Sequence, residues 1–272
     1  MKTMKQTFLV VLFGVLLIGN GIFAQPDRPK YVTVTTLHWN MDNENYEQKE
    51  WLAIEKEYLD KVVKKNEFIR EQRMMTHYFT ADNTELLFVT SYDSWEAIEK
   101  ASARSEALEK LAWPDEKGRK AFFEKREAFY DPMHSDEIYE TFPGAKQPDF
   151  KSDKPLLYYI RKSHWAYPKD GTEKEFGELR NAYLTAVTNK NEFVKAYYPL
   201  IHGWGSNKTE FVEVFVMESL GDIEKSFARN TELDKASWSD DGKRKDFYKK
   251  YDKYFTGVHG DYIYTIVPEL TK

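Results

Sequence analysis

VVKKNEFIREQRMMTHYF at 62–79 and VTNKNEFVKAYYPLIHGW at 187–204 decide the architecture. The two stretches share Lys65-Asn66-Glu67-Phe68 with Lys190-Asn191-Glu192-Phe193, and His77 with His202. Working outward at the same offset, Val62–Pro143 aligns with Val187–Pro268 without a gap, with 28 identities in 82 positions. A self-similarity of that extent marks a duplication, and it has to be found before any motif is interpreted. Upstream the offset grows by one residue, matching His38-Trp39 to His164-Trp165. The copies are 31–143 and 155–268, and GAKQPDFKSDK (144–154), rich in Gly, Pro and charge, is the linker between two domains.

Within each copy the pattern alternates between strand and helix. YVTVTTLHW (31–39) and LYYIRKSHW (157–165) are extended and rich in β-branched or aromatic residues. Trp51, Ile54, Tyr58 and Val62 form the stripe of an amphipathic helix, repeated by Phe176, Leu179, Tyr183 and Val187. RMMTHYF and ELLFVTSY flank a turn, as do YPLIHGW and EFVEVFVM. Ser94 and Ser219 stand where an N-cap opens the next helix. A further helical piece follows Pro114, and HSDEIYETF or HGDYIYTIV closes each unit as a strand.

The fold class is therefore α+β, built from two tandem βαββαβ units of ferredoxin-like type. A sheet with helices on one face must have its other face covered, and the second copy is the cover. In this order of elements the chain resembles the dimeric α/β-barrel superfamily, which includes antibiotic-biosynthesis monooxygenases, NIPSNAP-like proteins and several haem-handling relatives. The resemblance implies two sheets packed face to face around a central space, an intramolecular version of the dimeric barrel. It rests on element order over nearly the whole chain after residue 30 and carries no catalytic signature, so no residue role is transferred from it.

Composition narrows the function classes. The 272 residues are 41% hydrophobic, 16% aromatic and 31% charged, with net charge −5 and no cysteine. The aromatic content excludes a mainly disordered chain, and the mixed charge excludes a polytopic membrane protein. An acidic chain argues against nucleic acid and anionic membrane as partners. Without cysteine there is no disulfide framework, thiolate zinc site or cysteine nucleophile. Residues 1–24 read as a secretory signal peptide: Lys2 and Lys5, an apolar stretch from Phe8 to Phe23, then Ala24. The expected location is periplasmic or secreted, with no membrane contact after cleavage, and the internal pseudo-dimer implies a monomer.

All six histidines occur as repeat-equivalent pairs: His38/His164, His77/His202 and His134/His259. In a βαββαβ unit the first two strands run together and the last two run oppositely. That direction brings the three histidines of each copy to one rim, with Glu85/Glu210 and Asp136/Asp261. Imidazole beside carboxylate serves acid–base chemistry or metal ligation, and equally serves plain hydrogen bonding at strand ends. The acid–base candidates are His134, His259, His77, His202, Asp136 and Asp261. The binding candidates are His38, His164, Glu85 and Glu210, bordered by Trp39, Trp165, Phe79 and Trp204.

In the third strand Leu87, Val89 and Ser91 alternate with Phe88 and Tyr92, and Val212, Val214 and Val216 alternate with Phe215 and Met217. Assigning the aliphatic set to the helices sends Phe88, Tyr92, Phe215 and Met217 toward the barrel interior, as a ligand surface or as core. Arg161, if inward, would require an anionic partner. Three functions stay open: binding or turnover of a small, partly apolar molecule between the sheets; a haem or divalent-metal protein using the same rim; and an interaction module with a filled core. For an enzyme, the resemblance implies cofactor-light oxygenation or isomerisation, with His134 or His77 as base.

Overall fold

The computed structural model describes residues 28–44, 46–148 and 154–272. Residues 1–24, expected to be a signal peptide, and positions 149–153 of the expected linker lie outside the described residues. The first half contains β1 (Tyr31–His38), α1 (Gln48–Lys61), β2 (Glu71–Phe79), β3 (Glu85–Tyr92), α2 (Trp95–Ala112), α3 (Glu116–Glu127) and β4 (Ser135–Thr141). The second contains β5 (Leu157–Trp165), α4 (Glu173–Ala186), β6 (Ala196–Trp204), β7 (Glu210–Met217), α5 (Leu220–Ser237), α6 (Asp241–Asp252) and β8 (Phe255–Thr271).

The eight strands form one closed antiparallel barrel in the order β1-β3-β2-β8-β5-β7-β6-β4. The two sheets expected to face each other are thus also joined at both edges. Isolated, each would leave two edge strands with unpaired backbone groups. Pairing β2 with β8 and β4 with β6 satisfies those groups and makes the α+β fold a barrel. The strand expected at 259–267 is longer for the same reason: Phe255 pairs with Trp165 and Thr271 with Arg73.

The helices pack outside the barrel. Trp51, Ile54 and Val62 are buried as the stripe requires, and Ser94 caps α2 by accepting from Ala97 N–H at 3.0 Å. Ser219 occupies the equivalent place in α5 without a side-chain cap; its carbonyl receives the Asp222 N–H at 3.1 Å. The repeated Asn66 and Asn191 are fully buried. Asn66 donates to the Ala101 carbonyl at 2.8 Å and to Ser105 at 2.9 Å, and it accepts from Phe68 N–H at 3.1 Å. Asn191 does the same toward Ser226 and Phe193, so this asparagine locks the turn after α1 or α4 onto the next helix. Among the described residues no helix is long and apolar enough to cross a membrane.

Candidate functional site

Strand parity in the barrel is the reverse of the expected one. Val32, Val34, Leu87, Val89, Val212 and Val214 point inward. Phe88 packs with Trp51, Ile54 and Phe129; Tyr92 packs with Leu59 and Ala101; Phe215 and Met217 pack with Leu184 and Ile223. An eight-stranded barrel has an interior just wide enough for side chains or one small ligand. Tyr139, Tyr158, Tyr198, Tyr262 and Tyr264 also turn inward, and the short aliphatic residues between them leave a cavity of about 380 Å³ inside the barrel.

Chain direction gathers the histidines. His38 pairs in register with Glu85, His164 with Glu210, His259 with Ser163 and His77 with Tyr264. Since β2 runs antiparallel to β8 and β4 to β6, all six lie at one end of the barrel. They do not form one cluster there. His38 lines the cavity, its Nδ1 at 3.2 Å from Thr84 Oγ1 and 3.3 Å from Asp82. His164 has Thr209 Oγ1 and the Asn207 amide nitrogen at 3.2 Å from its Nδ1, so a neutral donor stands where His38 has an accepting carboxylate. The His77 Nδ1 is 2.7 Å from Thr80 Oγ1. His202 is opposite Tyr139 in the ladder.

His134 and His259 stand apart from the cavity. Their Nε2 atoms lie 3.2 Å from Asp136 and Asp261, but these carboxylates are on the outer face. Asp136 accepts from Thr35, and Asp261 accepts from Tyr159 and from Arg161 Nε, which also places Arg161 outside. Those hydrogen bonds hold the Asp261 carboxyl below its ordinary range despite partial burial. Trp39 and Trp165 likewise turn outward, Trp39 against Trp51 and Tyr130, Trp165 against Phe176, Phe211 and Phe255. Phe79 and Trp204 are exposed at the mouth, 58% and 69%, and form no shared stacking surface with them.

The polar groups that do enter the cavity include several that composition and spacing had not singled out. Tyr139 is buried, and its hydroxyl faces Glu137 and Glu210 at 2.8 Å each, with Lys162 Nζ at 3.5 Å. Its repeat partner Tyr264 donates to Glu85 at 3.0 Å. Each phenol therefore reaches a carboxylate from the other half of the chain. Burial first, and then the adjacent carboxylates, push both phenols far above the usual tyrosine range, so they remain neutral donors. At the opposite end, Arg73 pairs with Glu71 at 2.7 Å, and Arg28, Tyr158 and Tyr198 share the lining. The signal available in sequence was the period-two run Ser135, Glu137, Tyr139, Thr141 and the identity of Tyr139 with Tyr264.

Among the described residues no three His, Asp or Glu side chains converge on a metal position. The carboxylates of the two cross-half pairs are engaged by phenols, and the Nδ1 of the cavity-lining His38 is engaged by Thr84 and Asp82.

No protein-family model matches the chain, and no curated relative does. Among solved structures it is similar to a Fusobacterium nucleatum protein described provisionally as a monooxygenase, 13% identical, over 88% of this chain and 93% of that one, with TM-score 0.54. It is also similar to a chlorite dismutase variant from Candidatus Nitrospira defluvii, 12% identical, over 89% and 93% of the two chains, with TM-score 0.52. At these identities the likeness is one of fold alone, and the architecture this chain shares with them is the dimeric α/β barrel, closed here within a single chain.

Proposed function

We propose that this chain binds a small, partly apolar molecule inside the barrel. The observation that carries the reading is the cavity of about 380 Å³ inside the barrel, apolar at its waist and polar at both ends. Concave, mainly apolar spaces with a few convergent polar groups are where small molecules bind. A filled-core interaction module would have no use for that space. The neighbours described as a monooxygenase and a chlorite dismutase are in keeping with a small-molecule role. We read the halves as tandem ferredoxin-like copies, 31–143 and 155–268, in a monomer exported by residues 1–24 and acting in the periplasm or outside the cell.

A second reading, turnover by proton transfer, is favoured by one observation. His38 is the imidazole lining the cavity, and Asp82 beside its Nδ1 fixes the tautomer that leaves Nε2 as base. Hydrogen bonds from Thr84 hold the Asp82 carboxyl below its ordinary range, which keeps it charged for that role. Oxygenation or isomerisation with few cofactors is the class this would serve, and His134 has no part in it.

Native mass spectrometry of protein purified from its own host tests the binding reading. The expected result is a bound small-molecule mass that disappears in Val212→Phe, which fills the waist while keeping the wild-type circular dichroism. A bare wild-type mass, with no apolar compound raising the melting temperature, would overturn it.

A further inference from the structure

The charges lining the cavity are unevenly placed along the barrel axis. At the histidine end stand two lining carboxylates, Glu85 and Glu137, against a single ammonium, Lys162, whose Nζ is 3.6 Å from Glu137. Glu210, outside the lining, adds a third carboxylate 2.8 Å from the Tyr139 hydroxyl. At the far end stand two guanidiniums, Arg28 and Arg73, against a single carboxylate, Glu71. Between them the walls are aliphatic: Val34, Leu87, Val89, Ile160, Val212 and Val214. A low-dielectric waist screens neither end from the other, and charges inside such walls act more strongly than they would in water. Each end also matches a chemical group. Guanidinium offers paired N–H donors suited to a carboxylate, whereas ionised carboxylates only accept and so call for an ammonium or another strong donor.

We propose that the molecule bound in this barrel is two-ended, carrying an anionic carboxylate against Arg73 and Arg28 and a cationic or hydrogen-bond-donating group against Glu85 and Glu137, joined by an apolar chain. This assignment rests on the binding reading above and adds the class of ligand. Spacing supports it: Arg73 pairs with Val89, four residues along β3 from Glu85. Four residues span about 13 Å of strand, or about 10 Å along the axis at a tilt near 40°. An ω-amino acid of eight carbons matches that reach. A monopolar fatty acid or amine would meet the charge of only one end and lay its apolar tip against the charges of the other, which costs affinity.

Isothermal titration of the purified protein with 8-aminooctanoate, octanoate, octylamine and 1-octanol tests the assignment. The expected order is 8-aminooctanoate at least tenfold tighter than each of the other three. Arg73→Met should bring its affinity down to that of octylamine, and Glu85→Gln combined with Glu137→Gln down toward that of octanoate. Arg73→Lys, which keeps the charge, should lose less and serves as the control should Arg73→Met fold poorly. Equal affinity for the four compounds, or tighter binding of a single-ended one, would overturn the two-ended assignment and leave the cavity reading intact. Failure of all four to bind would overturn it as well, and the native mass spectrum then judges the cavity reading separately.

Discussion

The Tyr139 hydroxyl lies 2.8 Å from Glu210 Oε2 and joins the first half of the chain to the second through the barrel interior. Tyr264 and Glu85 repeat the contact in the other direction at 3.0 Å. Tyr139 is 3% exposed and Glu210 9%, so water cannot replace either partner if one is lost. Tyr139→Phe should destabilise the fold by about 1–3 kcal/mol, the cost of a buried polar group left unsatisfied. Urea unfolding of the two single variants and of Tyr139→Phe with Glu210→Gln would give a coupling of about 0.5–3 kcal/mol. Strict additivity would mean the bond contributes nothing between the halves.

The histidines separate into those that reach the cavity and those that do not. His134 and His259 are half exposed and face Asp136 and Asp261 on the outer side. His134→Ala and His259→Ala should change stability by no more than about 0.5 kcal/mol, as surface substitutions generally do. Both should leave binding of 8-aminooctanoate unchanged, whereas His38→Ala alters the wall of the cavity and should weaken it. Calorimetric titration of the three variants decides, and a large loss in His134→Ala would return the site to the outer face.

The rim itself was legible from chain direction, because β1, β2 and β4 have to end or begin there in any βαββαβ unit. Which side of the sheet each residue faces was not. Alternation in β3 and β7 separates two sets cleanly, but both faces of a helix-covered barrel are apolar, so polarity cannot name the inner one. Leu87 and Phe88 look equally suited to either face, and size does not decide between them, because the interior also holds the rings of Tyr139, Tyr158, Tyr198, Tyr262 and Tyr264. The Tyr139/Tyr264 identity was visible in the self-similarity of the sequence. Its partner was not, since Glu210 is 71 positions away and the bond depends on barrel closure. Self-similarity also misleads where the two stretches diverge. Position 55 is a buried glutamate and its counterpart at 180 a buried arginine, and no pattern within either copy announces that reversal.

Glu55 accepts from Arg126 Nε at 2.8 Å and Nη2 at 3.0 Å, and from the Tyr130 hydroxyl at 2.8 Å. Glu55 is 3% exposed, so this bidentate pair ties α1 to α3 inside the protein. Removing one partner leaves a buried charge without its opposite, at a cost of about 3–5 kcal/mol. Arg126→Met should show that loss in denaturant unfolding. Glu55→Leu combined with Arg126→Met should recover much of it, because the desolvation of both charges disappears with them. A double variant no better than the single one would mean the pair acts through packing instead.

Glu213, in the second half, occupies the place of Phe88 and is packed under α4 and α6. Burial raises its carboxyl above the ordinary value of 4.5, and hydrogen bonding from Tyr197 together with the nearby Arg180 and Arg161 offsets this only in part. The sign follows from linkage. A raised folded-state value means the native protein holds this proton more tightly than the unfolded chain does. Its stabilising effect is complete below the unfolded value near 4.5 and is lost as pH climbs through the higher folded value. Glu213→Gln mimics the protonated acid and removes that dependence. Measured by urea unfolding, the stability of the variant relative to wild type should therefore be greater at pH 7 than at pH 4. A difference that stays constant over this interval, or shrinks toward neutrality, would show that the Arg180 and Arg161 guanidiniums outweigh burial and keep Glu213 ionised in the fold.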